Sequence, residues 1–400
     1  MPGAEFEILK DTPTTTVIDG HWGFGYVVAE RAMNMTIEKA KSQNVAATTV
    51  HRQSHIGRLA SYPLMGAEAD MIAMITADSG RSAKGVVPFG GREKRLGTNP
   101  IAIAMPSNLD GPFFLDMATS AVAGGKVNLA KARGQNIPEG WILDKNGEPS
   151  TNPNDLGEGG AILPLGGDQG HKGYGLSSMV EIFSGILPGL GFGHDPSGRH
   201  NDGCFMAVFN LAAFRNVEDF KNEVAEFAQY LKNSETAPGF DEIYYPGELE
   251  YLSEQKKKAE GIFVEDTTWS ELKILAEKYG INLSLETDLA PQPFCELLNR
   301  FNSRRVSVNY DIGNSAALGY DLFEELESYG KRITDIHIKD RVLGGGPVEL
   351  GKGDSDFYAF FNKLKEFDYQ GPFIMQAYRD EEGVEIFKKQ LDWVKPYLNE

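Results

Sequence analysis

The residue types that move protons or hold ligands fall into short, glycine-flanked clusters in this 400-residue chain. Ser54-His55-Ile56-Gly57 places a histidine beside a flexible glycine at the end of an apolar run. A histidine there can exchange a proton with a substrate oxygen near neutral pH, although spacing alone favours a surface or core histidine. Pro88-Phe89-Gly90-Gly91 and Leu96-Gly97-Thr98-Asn99-Pro100 permit close backbone approach. Thr98 and Asn99 can hydrogen-bond a ligand there, and the same pattern describes a tight turn. In Asp116-Met117-Ala118-Thr119-Ser120, a strand-to-helix junction, Thr119 or Ser120 would cap a helix whose free N–H groups suit an anion; capping alone is the other reading. Gly170-His171-Lys172-Gly173 opens a further helix with a lysine that suits a phosphate or carboxylate, or plain solvent.

A second set lies near the C-terminus. Glu286, Asp311, His337 and Gln376 each end a β-like run. Side chains at the C-terminal ends of successive parallel strands converge on one mouth. Glu, Asp and His there make a divalent-metal site of oxygen and nitrogen donors, unless each merely ends its strand.

The elements that must carry these residues differ between the two parts. In the first, strands read at Val45–Val50, Met71–Thr76, Ile101–Met105, Phe113–Leu115 and Cys204–Phe209. Helices read at 27–43, Ala118–Arg133, Gly175–Leu187 and Val217–Lys232, the last with Phe220, Val224, Phe227 and Leu231 on one face. This predicts mixed α/β, with glycine-rich connections at 134–175 and 188–203. Residues 248–279 read as mostly charged helix. From Ile281 the rhythm becomes β-α, with strands Ile281–Leu285, Val306–Tyr310, Ile333–Ile338 and Phe373–Gln376, and helices near 292–302, 321–329, 355–367 and 382–397. Four βα units predict a parallel sheet with helices outside it.

Composition supports a join. Residues 1–240 hold 32 of the 45 glycines with 26 acidic against 20 basic residues, whereas residues 241–400 hold 13 glycines with 31 acidic against 19 basic. Two unlike modules fit that shift better than one. The total charge of −18, with no long basic run, argues against nucleic acid and anionic membranes. No apolar stretch approaches bilayer length, and the N-terminus lacks the basic start and apolar run of a secretory leader. Two cysteines, Cys204 and Cys295, suit a reducing, cytoplasmic setting. Gly23-Phe24-Gly25 lacks the third glycine of a dinucleotide fingerprint and follows no clear strand; Gly191-Phe192-Gly193 fails likewise, so a Rossmann site is not expected.

Taken in order, residues 17–280 resemble the type-2 malate/L-lactate dehydrogenase family, through VIDGHWGFGYVVAERAM, QSHIGRLASY, VVPFGGREKRLGTNPIAIAMPS, FFLDMATSAVAGGK, IPEGWILDKNG, ILPLGG, HKGYGL and YYPGELEYLSEQ. The resemblance implies a non-Rossmann α/β fold, a homodimer, NAD or NADP as cofactor, and interconversion of small-molecule 2-hydroxy and 2-oxo acids by hydride transfer. His55 falls on the catalytic acid/base position. Ser79, Asp116, Met117, Ala118, Lys172, Gly247 and Glu248 fall on cofactor-contacting positions, with Asn99 near the nicotinamide. The family's N-terminal helical segment, with its Ser-His-Gly-x-x-Arg-Leu motif, precedes the first matched stretch and is not in this sequence. Arg58, Arg92 and Arg95 are then the arginines available to a substrate carboxylate.

From about residue 281, SLETDLAP, VNYDIGNSAALGYD, DIHIKDR, LGKGDSDF and GPFIMQAYR resemble sugar-phosphate isomerases/epimerases with the xylose-isomerase-like barrel. That resemblance implies a divalent metal on Glu286, Asp311 and His337, with Gln376 where a glutamate is common. An amide coordinates through oxygen but cannot serve as a general base. The expected organisation is residues 1–247 for cofactor binding and catalysis, 248–280 as a helical segment of the dehydrogenase, and 281–400 as a partial (β/α) barrel of four βα units. The leading expectation is a 2-hydroxy-acid dehydrogenase; a metal-dependent isomerase and an inactive fusion of two gene fragments are the alternatives.

Overall fold

The structure, a computed structural model, describes residues 5–78, 84–194, 202–261, 264–301, 303–376 and 383–399. Its Cα framework divides into two compact units, residues 1–262 and 263–400.

The first unit runs β1 (Glu7–Asp11), β2 (Thr15–Gly23), α1 (Gly25–Gln43), β3 (Val45–Gln53), α2 (Ser61–Glu68), β4 (Met71–Ala77), β5 (Ile101–Met105), β6 (Phe113–Met117), α3 (Gly124–Ala132), β7 (Ile142–Leu143), β8 (Pro149–Ser150), β9 (Ala161–Ile162), α4 (Gly170–Glu181), β10 (Asp202–Asn210), α5 (Val217–Lys232) and α6 (Glu248–Glu260). Seven strands form one sheet in the order β1-β2-β3-β10-β4-β5-β6. The β2–β3 pair is parallel, joined through α1, and the other neighbours are antiparallel. Apolar residues at helical spacing explain α1: Val28, Ala29, Ala32, Met33, Ile37 and Ala40 are buried with Ile18, Val50, Ile75 and Met206 in the main core. Strands β8-β7-β9 form a small separate sheet inside the long 134–175 connection.

Several expectations need correction. A strand does precede Gly23-Phe24-Gly25, because β2 was hidden in the threonine-rich opening. The helix expected from Ala118 begins at Gly124, and Thr119 caps nothing: its hydroxyl donates to the carbonyls of Thr98 and Asn99. The helix after Lys172 starts earlier, at Gly170, and passes into a π-helical turn at Ile182–Ile186. Arg58 lies just ahead of α2. Helix α5 has the expected bounds, with Asn216 capping Asp219 N–H at 3.0 Å, but Phe227 on its apolar face is half-exposed.

The second unit contains α7 (Asp266–Tyr279), β11 (Leu283–Leu285), α8 (Pro291–Asn299), β12 (Val306–Asp311), α9 (Ile312–Leu318), α10 (Leu322–Tyr329), β13 (Ile333–Ile338), β14 (Asp340–Arg341), β15 (Pro347–Val348), α11 (Phe357–Leu364), β16 (Phe373–Met375) and α12 (Gly383–Asn399). The charged stretch 248–279 is therefore two helices, α6 and α7, one in each unit. Strands β11-β12-β13-β16 form a parallel sheet in chain order. Strand alternation sends Val306, Val308, Tyr310, Ile336 and Ile338 into a core with Phe294, Leu326, Phe357 and Phe360. The opposite face carries Ser284, Ser307, Asn309, Asp311, Asp335 and His337.

Phe360 is fully buried and its ring stacks on Tyr310 at 5.3 Å between centroids. Phe360→Ala is expected to destabilise the second unit by about 3–5 kcal/mol, seen in urea melts as a lower midpoint. An unchanged midpoint would contradict this packing.

Candidate functional site

In the first unit, His55 sits on the exposed turn between β3 and α2. Ser54 N–H donates to Gly23 O at 3.2 Å, and Gly25 N–H donates back to Ser54 Oγ at 2.8 Å. A Cβ on Gly25 would lie 2.1 Å from Ser54 O and 2.5 Å from His55 O, so this clasp requires glycine. Gly57 N–H donates to His55 Nδ1 at 3.0 Å, which leaves Nε2 to carry the ring proton in the neutral form. The Tyr26 ring stands 6.5 Å away and Phe24 stacks on Tyr26.

The same turn reaches the end of β6. Ala60 N–H donates to Asp116 Oδ2 at 2.9 Å, and burial pushes the Asp116 carboxyl up, opposed by that N–H and by Arg58. The Arg58 guanidinium lies 5.1 Å over the Phe114 ring and lines a 610 Å³ groove with Leu249, Glu250, Ser253, Glu254, Lys257 and Lys258. Met117 and Ala118 are half-buried at the strand end. Beyond them, Thr119 holds Asn99, which is fully buried with φ 38°. Asn99 Nδ2 donates to Ser177 O at 3.1 Å and Glu181 Oε2 at 2.8 Å, both on α4, while Asn99 Oδ1 has no partner among the described residues.

Lys172 is exposed on the first turn of α4, beside His171, whose ring meets Phe89 edge-on at 5.7 Å. Gly247 has φ 97° and abuts Phe114, where a Cβ would come within 2.6 Å. Glu248 is committed elsewhere: it is buried, pairs with Lys232, and accepts Tyr245 N–H at 3.1 Å. Ser79 lies outside the described residues. Hydrogen bonds thus link His55, Asp116, Asn99 and α4 through their turns, whereas Glu248 points into a separate ion pair. The buried Lys84–Glu181 pair at 3.1 Å was invisible in the sequence, since 97 residues separate its members.

In the second unit, Glu286, Asp311 and His337 place one donor atom each within 4.8 Å of one another, the sole such group among the described residues. His337 Nδ1 lies 3.3 Å from Glu286 Oε2 and 3.7 Å from Asp311 Oδ2. Gln376 Nε2 is 2.8 Å from His337 Nδ1. Donors about 2.0–2.5 Å from a shared ion stand about 3–4 Å apart, so this set fits a divalent cation. Lys339 Nζ lies 3.0 Å from Asp311 Oδ2 and 3.3 Å from Gln376 Oε1. Asn309 and Asn314 donate to the two oxygens of Glu286 at 3.0 and 2.8 Å. Lys339, Asn309 and Asn314 were not singled out in the sequence. Asn309 lies two residues before Asp311 and Lys339 two after His337, so strand alternation was the available signal.

Below this group, Glu325 is buried and accepts hydroxyls from Tyr310 at 2.7 Å, Tyr329 at 2.8 Å and Ser315. Burial outweighs these donors and holds its carboxyl above the ordinary carboxylate range.

Comparison with known proteins gives the class. The malate/L-lactate dehydrogenase family matches residues 1–273, and the chain belongs to that family. A xylose isomerase-like TIM barrel region matches residues 244–397. Malate dehydrogenase of Pyrococcus abyssi is 38% identical over 284 residues, covering 69% of this chain and 77% of that protein. Ureidoglycolate dehydrogenase (NAD(+)) of Escherichia coli is 34% identical over 275 residues, covering 67% and 76%. The crystal structure of malate dehydrogenase from Entamoeba histolytica superposes with a TM-score of 0.66 at 33% identity, over 70% of this chain and 81% of that one. Among the described residues no helix is long and apolar enough to cross a membrane.

A carboxyl held above its ordinary range stabilises the fold only while protonated. Its contribution is complete below the ordinary carboxylate range and is lost as pH rises through the raised value. Glu325→Gln abolishes that loss. Its Tm relative to the natural chain is expected to rise as pH is raised above the ordinary carboxylate range; calorimetry showing a constant difference would count against it.

Proposed function

We propose that this chain is a nicotinamide-nucleotide-dependent oxidoreductase that interconverts 2-hydroxy and 2-oxo acids, with His55 as acid/base. The observation that carries the proposal is the clasped turn that commits His55 Nδ1 to Gly57 N–H and leaves Nε2 free on an exposed surface. In the reducing direction Nε2 delivers a proton to the 2-oxo oxygen, and in the oxidising direction it accepts the proton of the 2-hydroxyl. The nicotinamide, when bound, supplies or takes the hydride. The unpartnered, buried Asn99 Oδ1 fits an amide donor such as the carboxamide of that ring. Lys172 fits the phosphates, with the chain at Asp116, Met117 and Ala118 alongside, and Gly247 allows close backbone approach. Ser79 and Glu248 complete the proposed set, Glu248 through its helix start rather than its carboxylate. Arg58 is the arginine we assign to the substrate carboxylate. Both NAD and NADP fit these groups.

We also read the chain as a homodimer. Met179, Ile182, Phe183, Ile186 and Leu187 repeat at helical spacing yet are 41–56% exposed, a stripe suited to a second copy. The free thiols of Cys204 and Cys295 suit a reducing cytoplasm. We place the join between the two parts within 248–280, which contains the boundary of the compact units. The four-stranded parallel sheet we read as the arc of a partial barrel.

A second reading rests on the Glu286–Asp311–His337 group. It would hold a divalent ion such as Mn²⁺, with Gln376 as a further oxygen donor once Lys339 gives way. Without a carboxylate at 376 it binds rather than isomerises.

His55→Ala is expected to lower kcat for NADH- or NADPH-dependent reduction of oxaloacetate, pyruvate or sulfopyruvate by about 10²–10⁴-fold, with the melting shift caused by nucleotide retained. Absence of both rate and nucleotide shift in the natural chain would favour an inactive fusion. Ile186→Glu is expected to convert dimers to monomers in sedimentation velocity, and a natural chain already monomeric would refute the dimer. Calorimetric titration should detect Mn²⁺ binding that His337→Ala abolishes.

A further inference from the structure

Where β2 leaves the sheet, two successive non-glycine residues adopt left-handed backbone, His21 at φ 47° and Trp22 at φ 59°, and across the ladder Arg52 does so at φ 53°. Such conformations are strained for residues with a Cβ and persist only where the surroundings enforce them. The enforcement is visible. From Asp19 to Gly23, β2 advances four residues while its partner β3 advances two, from His51 to Gln53. Residues 20–22 are thereby thrown out as a bulge.

Asp19 knots this bulge. It is 1% exposed, and Oδ1 accepts His21 N–H and Arg52 Nε–H, both at 2.9 Å. Its Oδ2 meets the Arg52 terminal nitrogen and faces His21 Nε2 at 3.7 Å and His51 Nε2 at 3.9 Å. His21 is held in turn by Glu7 at 3.2 Å. Gly20 passes close beneath, where a Cβ would be 2.9 Å from Arg52 O. One carboxylate therefore fixes both strands at the point from which each heads into the clasp: β2 toward Gly23 and Gly25, β3 toward Ser54 and His55.

We infer that Asp19 is a positioning residue for His55, acting through Arg52 and the bulge to set the path of residues 53–57. The inference rests on the reading of His55 given above. Asp19 touches neither His55 nor any group assigned to substrate, so its effect is on where the imidazole stands.

The test uses the full chain labelled with ¹³C,¹⁵N-histidine, with the His55 ring signals assigned by their loss in His55→Ala. Asp19→Asn keeps the shape but turns an N–H₂ toward Arg52. Arg52→Lys keeps the charge but loses the two-pronged contact, and covers the case that Asp19→Asn fails to fold. In each variant the His55 resonances are expected to shift or split, while those of His171 and His194 stay. Superimposable His55 signals overturn the inference, because a mere strut would lower Tm and leave them in place. Where the natural chain turns over, Asp19→Asn should lower kcat about 10-fold or more with the nucleotide KM within about twofold. It should add nothing further in a His55→Ala background; additive losses would overturn the inference as well. A natural chain with no reductase rate sinks the proposed function, yet the His55 resonances still decide the role of Asp19.

Discussion

Everything proposed for the first unit depends on two backbones approaching closer than any side chain would allow. Gly25 opens α1 against the carbonyls of Ser54 and His55, with a space of about 2 Å where a Cβ would go. Because α1 is anchored by its buried face against the sheet, the turn at His55 inherits the rigidity of the core. An acid/base group on a freely moving loop would lose the orientation that makes proton transfer efficient. The exposed imidazole and the buried helix are in this sense one construction.

The second unit reaches a similar end by other means. Its parallel sheet has one apolar face under helices and one face of serines, asparagines, carboxylates and a histidine. Asp311 serves two structures at once: Oδ1 caps α9 by accepting Asn314 N–H at 2.8 Å, while Oδ2 faces His337 and Lys339. Asp340, two residues past the strand, accepts the N–H groups of Gly351, Gly353 and Ser355 and so ties the loop beside this face to β13.

What the sequence disclosed follows from the range of each interaction. Helix α5 was legible to the residue, since its apolar spacing and the Asn216 cap are local. The four parallel strands of the second unit were legible because βα repeats leave a periodic trace, and the convergence of Glu286, Asp311 and His337 follows from that topology. Strands β1 and β2 were not, since threonines and exposed positions hid them; β2 takes its pairing from β3, and β1 takes its own from β2. The helix expected at Ala118 failed because Thr119 bonds the carbonyl of Asn99, a partner twenty residues away that no local pattern reveals. Asn99 itself was noticed as a turn residue, but its burial against Ser177 and Glu181 arises from α4, far along the chain. The tie from Asp19 to Arg52 was equally hidden, for it exists only once β2 and β3 lie side by side.

Strand β10 fills the middle of the seven-stranded sheet, yet it comes last in the chain of all the strands there. Until residues 202–210 leave the ribosome, β1-β2-β3 and β4-β5-β6 are two half-sheets, each with a bare hydrogen-bonding edge at the place where the other will be joined. Synthesis therefore holds the first unit open for more than half its length, and closing it requires contacts between segments more than a hundred residues apart. Such topology makes folding slow relative to a chain of local contacts, and leaves the nascent half-sheets exposed to pairing with neighbours during that interval.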